Sequence, residues 1–174
     1  MRELKHYLLG LRPHPAKIYE VIERELPPIE DFTDEQTRAE RYAGMTRKQL
    51  AWLASQPLFE VGGHTVGHPF LTLCDEAEAK RQMSQGKRDL EEITGKVCDL
   101  FAYPAVDYDE RTMAACQDCG FVSAFSAHRE IQGGHEFELP RTGVYYPELS
   151  ELGFKIRWDT ALRRIQKWRT IPKQ

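Results

Sequence analysis

The sequence predicts an α/β chain in which a charged helical segment leads into parallel βα units. Three observations carry this. From residue 58 to 126, short apolar runs alternate with stretches of helical periodicity, as in parallel strands joined by crossover helices. Upstream, to about Gln56, the pattern is helical and charged. The length of 174 residues, 41% of them hydrophobic, suits one domain with an adequate core.

Each element has a local reason. Pro15 opens a helix through Glu25, where its missing N–H is no loss, and Ile18, Ile22 and Leu26 form an apolar stripe. Pro27-Pro28 ends that helix. Asp34 to Tyr42 is a polar helical stretch with Asp34 as its cap. Thr46 caps the next helix, whose inner face is Leu50, Leu53 and Ala54. Leu58 to Val61 reads as a short strand ending in Gly62-Gly63. Asp75 to Thr94 is a long helix with Ala79, Met83, Gly86, Leu90 and Ile93 as its core stripe, stopped by Gly95. Val97 to Tyr103 is a strand closed by Pro104, and Asp109 to Asp118 a helix stopped by Gly120. Phe121 to Ser126 is the next strand. A turn with Gly133-Gly134, a strand over Phe137 to Val144 and a helix from Ser150 to Trp168 complete the pattern.

Composition excludes several classes. A net charge of −3 gives no basic excess to displace phosphate counterions, so no nucleic-acid partner is expected. No apolar run is long enough to span a membrane. The start, Met-Arg-Glu-Leu-Lys-His, lacks the apolar core of a signal peptide, so the chain as given is expected to be cytoplasmic. Cys74, Cys98, Cys116 and Cys119 are expected to be reduced, and Cys116-x-x-Cys119 to pack as small apolar residues within a helix. Trp52, Trp158 and Trp168 fall on helical stripes and are expected at core or interface positions. The acidic stretch from Glu20 to Glu40 is expected to be solvated.

Two loops after strands carry reactive residues. The first is Gly62-Gly63-His64-Thr65-Val66-Gly67-His68-Pro69. Two neutral imidazoles four residues apart can share a zinc-like ion, and the glycines and proline argue for a structured loop instead of a helix. Thr65 is placed to fix that loop by bonding its backbone or a histidine. The second is Phe101-Ala102-Tyr103-Pro104-Ala105-Val106-Asp107, where an aromatic before proline makes a rigid wall and the Ala105 N–H can face a substrate oxygen. Taken without context, a hydrogen-bonded histidine pair and a plain strand end account for both.

An ordered series of motifs adds that context. His64-Thr65-Val66-Gly67-His68 is followed by Pro69-Phe70-Leu71, then by Asp89 to Lys96, Phe101-Ala102-Tyr103-Pro104, Cys119-Gly120-Phe121 and Leu139-Pro140-Arg141. From Met45 to about Val144 this order and spacing resemble the polysaccharide deacetylase family, the NodB homology domain of carbohydrate esterase family four. The resemblance implies an incomplete, distorted (β/α) barrel of the NodB type with an N-terminal helical segment. It divides one domain, 1–174, into a helical insertion-like segment (1–44), a deacetylase-like core (45–148) and a C-terminal helix (149–174).

The resemblance also implies metal-dependent hydrolysis of N-acetyl groups on amino-sugar polymers. His64 and His68 would be ligands of a divalent ion, usually zinc, and the Ala105 N–H would hold the oxyanion. Tyr103, Pro104 and Tyr108 would contact an amino-sugar polysaccharide or oligosaccharide. Arg141 would orient a carboxylate or close the barrel rim. The family uses a late histidine as general acid, for which His128 and His135 match no motif.

The family's Thr-Phe-Asp-Asp motif, which supplies a third ligand and a general base, is not found upstream of His64. Glu30-Asp31 has no apolar strand leading into it. The expectation is therefore weak or no activity for this chain. The alternative is a non-catalytic remnant that binds glycan or a partner protein, with exposed sheet edges favouring a homodimer. A third reading has a neighbouring reading frame supply the first strands in trans.

Overall fold

The computed structural model describes residues 2–11, 15–126, 135–141, 153–154 and 157. Helices α1 (Arg2–Gly10), α2 (Pro15–Glu25), α3 (Glu35–Arg41) and α4 (Arg47–Ser55) come first. They are followed by α5 (Glu76–Thr94), β1 (Leu100–Ala102), α6 (Glu110–Asp118), β2 (Ser123–Ser126) and β3 (Leu139–Pro140). The three strands form an open parallel sheet in the order β1-β2-β3, with Phe101 opposite Ala124 and Phe125 opposite Leu139. α4 packs on α5, and α5 on α6. Among the described residues the arrangement is a small parallel sheet with flanking helices, not closed into a barrel, as expected of an incomplete NodB-type fold.

Helix ends follow the local chemistry. Asp34 accepts the Thr37 N–H at 2.8 Å, and this bond holds its carboxyl below the usual range. Thr46 and Gln49 form a reciprocal capping box on α4, and Asp109 and Thr112 do the same on α6. Asp75 caps α5, and Gly95, with φ of 66°, turns the chain out of it.

The core lies between α5, α6 and the sheet. Leu71, Met83, Phe101, Tyr103, Cys116, Phe121, Ala124 and Phe137 belong to it. Burying a side chain such as Phe101 contributes on the order of 2 kcal/mol. Phe101 meets Phe121 and Tyr103 with ring centroids 5.0 and 5.3 Å away. Lys87 ties α5 to the strand starts, donating to the Cys98 and Gly120 carbonyls, with its ammonium 4.9 Å from the centre of the Phe121 ring. The Cys98 N–H donates in turn to Glu91 at 3.0 Å, which is the main reason that carboxyl is held below its usual range.

Several sequence expectations shift. Leu58 to Val61 forms no ladder. Pairing with β1 occurs at the single bridge Gly63–Phe101, while Leu58 is 91% exposed. Leu58, Phe59 and Val61 instead line a surface groove of about 390 Å³ with Ala54, Leu90 and Val97. On α2 Val21 is buried, and Leu26, just past the end of the helix, is exposed. A spacing of four drifts about 40° per step around a helix of 3.6 residues per turn, so the stripe rotates out of contact. Trp52 is 65% exposed, not at a core position. The strands are shorter than the apolar runs suggested, with Val97 and Val122 exposed before β1 and β2 begin. The four cysteines are free, as expected. No described helix is long and apolar enough to cross a membrane. His128, Gly133-Gly134, Trp158 and Trp168 lie outside the described residues, as do residues 142–144 and nearly all of 150–168.

Candidate metal centre

Two glycines bring the chain to the sheet. A Cβ on Gly62 would lie 3.0 Å from the Leu100 carbonyl oxygen, and one on Gly63 would lie 3.0 Å from two Phe121 ring carbons. This close approach lets Gly63 donate to Leu100 O at 2.8 Å and accept from Ala102 N–H at 2.9 Å. His64 follows directly, held at the C-terminal end of β1.

The histidine loop is strained and braced. Thr65 and His68 have φ of 66° and 53°, a left-handed region that side chains disfavour. Thr65 Oγ1 accepts the His68 N–H at 3.0 Å, so the threonine fixes the loop as its place in the motif suggested. The imidazoles meet edge-on with centroids 4.9 Å apart, and both side chains are exposed. His64 Nδ1 lies 2.7 Å from the Ala102 carbonyl oxygen. A carbonyl only accepts, so Nδ1 carries the proton and Nε2 keeps its lone pair for a ligand. Two imidazoles on one tetrahedral ion, with nitrogens about 2.1 Å from it, have centroids about 5 Å apart. The observed centroid separation of 4.9 Å matches that spacing. Among the described residues, no cluster of three or more His, Cys, Asp or Glu side chains is placed to hold an ion. Asp34 caps α3, and Glu30 pairs with Arg38.

The second loop begins where His64 bonds. Pro104–Val106 is a single turn closed by Val106 N–H to Tyr103 O and Asp107 N–H to Pro104 O. The Ala105 N–H takes no part in closing it. Ala105 and Val106 both have positive φ, 53° and 59°, and a β-branched residue there is an outlier. Asp107 binds the turn to the segment after the histidines, accepting from Thr72 N–H and Oγ1 at 2.8 Å each. Arg111 donates to the Leu71 and Thr72 carbonyls at 3.3 and 3.2 Å. Sequence reasoning assigned Asp107 no role, because its partner lies 35 residues away.

The aromatic residues divide. Tyr103 is 1% exposed, and Pro104 is buried beside it. The Tyr103 hydroxyl donates to Phe137 O at 3.0 Å, and desolvation pushes its phenol above the usual range. Its ring stacks on Tyr108 with centroids 4.7 Å apart. Tyr108 is half-buried, donates to Glu138 at 2.7 Å, and is raised mainly by desolvation. Arg141 sits at the β2–β3 rim, where its backbone N–H and its Nε both donate to Ser126 O, at 3.1 and 3.2 Å. The Nδ1 of His135 accepts the Phe137 N–H at 3.2 Å.

The model of the polysaccharide deacetylase family matches residues 13–124, close to two thirds of the chain. The chain belongs to the polysaccharide deacetylase family. The match begins well upstream of Met45 and ends within β2. Among solved structures, the chain is similar to the Streptococcus pyogenes deacetylase PplD in complex with acetate. The TM-score is 0.59 at 20% identity, over 68% of this chain and 53% of that one. It is also similar to a polysaccharide deacetylase from Bacillus cereus, with a TM-score of 0.59 at 14% identity, over 74% of this chain and 45% of that one. At these identities the likeness shows the fold. The chain spans about half the length of the solved deacetylases it matches. No curated protein matches it.

Proposed function

We propose that His64 and His68 contribute two ligands to a divalent ion, most simply zinc, in the metal-dependent hydrolysis of N-acetyl groups on amino-sugar polymers. The observation that carries this is the bond from His64 Nδ1 to the Ala102 carbonyl, which leaves Nε2 available beside His68. The ion, when bound, supplies polarisation of an amide carbonyl and a more acidic water. The Ala105 N–H donates to the developing oxyanion, from a turn already held in a strained conformation. Pro104 and Tyr103 act from beneath as the rigid support of that turn, and Tyr108 offers the partly exposed aromatic edge to sugar. Arg141 closes the rim through its bonds to Ser126 O, and the remaining guanidinium N–H groups are those that would orient a carboxylate.

Residues 1–174 hold no Thr-Phe-Asp-Asp motif upstream of the histidines, so this chain by itself turns over slowly or not at all. Zinc titration by calorimetry, on the chain and on the His64→Ala/His68→Ala double variant, tests the ligand assignment. Micromolar binding that disappears in the variant is expected, and binding indifferent to both histidines sinks the proposal. Acetate release from N-acetylated chito-oligosaccharide tests the rest. Robust, histidine-dependent release overturns the expectation of weak activity. Glycan binding without zinc binding or turnover favours the non-catalytic alternative.

A further inference from the structure

We infer that Gln82 and Gly86, one turn apart on α5, are the positioning residues of the histidine loop. This rests on the reading of His64 and His68 as ligands. Gln82 is 3% exposed, an unusual place for a carboxamide. Its Oε1 accepts two backbone N–H groups, from Val66 at 3.1 Å and Gly67 at 2.9 Å. Its Nε2 donates to Glu78 Oε1 at 2.9 Å, and Glu78 is clamped by Arg81 through two bonds of 2.7 Å. Two N–H donors on one side and a carboxylate on the other permit one orientation of the amide. The chain Arg81–Glu78–Gln82 thus ends on the two residues that separate Thr65 from His68.

Gly86 supplies the second contact. A Cβ there would lie 3.2 Å from the Thr65 carbonyl carbon and 3.3 Å from its oxygen. The helix therefore meets the loop backbone directly, at one of its two left-handed residues. Gln82 supplies the hydrogen bonds that hold the strained loop, and Gly86 supplies the room. Together they fix the separation and angle of the two imidazoles. Groups that orient metal ligands without touching the ion commonly change affinity ten- to a hundredfold when lost.

The test uses Gln82→Met, which keeps the volume and loses the acceptor, and the paired exchange Gln82→Glu/Glu78→Gln, which keeps the acceptor, restores an amide donor between the two side chains and leaves a single carboxylate in the pair. Amide exchange is followed by NMR in metal-free protein. Val66 and Gly67 are expected to exchange about tenfold faster in Q82M, with the paired exchange closer to wild type and core amides such as Cys116 unchanged. Zinc affinity is expected to fall about tenfold in Q82M and in Gly86→Ala, with the paired exchange retaining most of it. Gly86→Ala also separates positioning from helix stability, because alanine favours the helix. Equal exchange of Val66 and Gly67 in wild type and Q82M overturns the inference. So does unchanged zinc affinity in Q82M when the double histidine variant has lost it. If wild type binds no zinc, the ligand reading falls by itself, and the exchange data still decide whether Gln82 holds the loop.

Discussion

Replacing Ala105 with glycine is expected to stabilise the protein. Ala105 is an exposed residue with φ of 53°, so its side chain loses little when removed. The left-handed conformation costs a non-glycine residue roughly 1–2 kcal/mol. Glycine has more freedom to lose on folding, which costs about 0.4–1 kcal/mol. The difference leaves a gain of about 0.5–1 kcal/mol, or a rise of roughly 1–4 °C in Tm for a chain of this size. Ala114→Gly provides the contrast. Ala114 is exposed within α6, where glycine costs about 1 kcal/mol relative to alanine. Urea unfolding of wild type and both variants, followed by far-UV circular dichroism, measures the two effects in one experiment. Opposite signs are expected. If Ala105→Gly destabilises as much as Ala114→Gly does, the turn is not left-handed in solution, and the presentation of the Ala105 N–H argued above fails with it.

Other perturbations probe the remaining contacts. Gly63→Ala drives a methyl into the buried Phe101 and Phe121 rings and is expected to cost about 1–3 kcal/mol, whereas Gly44→Ala, with open space around it, serves as the neutral comparison in the same melts. Asp107→Ala removes charge-assisted bonds to Thr72 and is expected to cost about 1.5–3 kcal/mol in urea unfolding; a loss under about 0.5 kcal/mol refutes the latch. Burial pushes the Cys116 thiol from 9.0 up to about 12, so the unfolded chain releases this proton first as pH rises. Stability is therefore full below about pH 9 and declines from there toward pH 12, by at most about 1.4 kcal/mol per unit from this group. A flat stability profile between pH 8 and 10.5 contradicts that assignment.

Much of the helical architecture was legible because its determinants are local. Asp34, Thr46, Asp75 and Asp109 each bond an N–H three residues on, and a reader of the sequence sees donor and acceptor together. The histidine pair was legible for the same reason, as was the role of Thr65. What escaped depends on distant partners. Gln82 reads as one more polar helix residue until the loop 15 residues away is laid against it. Tyr103 reads as a strand-end platform until Phe137 and Cys116 are seen to enclose it. The run from Leu58 has strand composition, but β1 reaches that segment only at Gly63. Trp52 sits on a regular helical stripe, yet no described element covers it, and periodicity does not reveal which side of a helix finds a neighbour.

The backbone of Ala102 serves two masters. Its N–H donates to the Gly63 carbonyl, and its own carbonyl accepts from the imidazole of His64, the residue after Gly63. Parallel pairing at this point is thus also a statement about proton location. Were β1 to slip by one residue, the side chains of that strand would exchange faces, and the carbonyl facing His64 would belong to another peptide. A misregistered molecule would keep its helices and much of its circular dichroism signal while losing the bond that sets the tautomer on which the proposed ligation depends. The imidazole spectrum of His64 is therefore a sensor of correct assembly, able to distinguish a well-paired sheet from a near miss that bulk measurements of folding would pass.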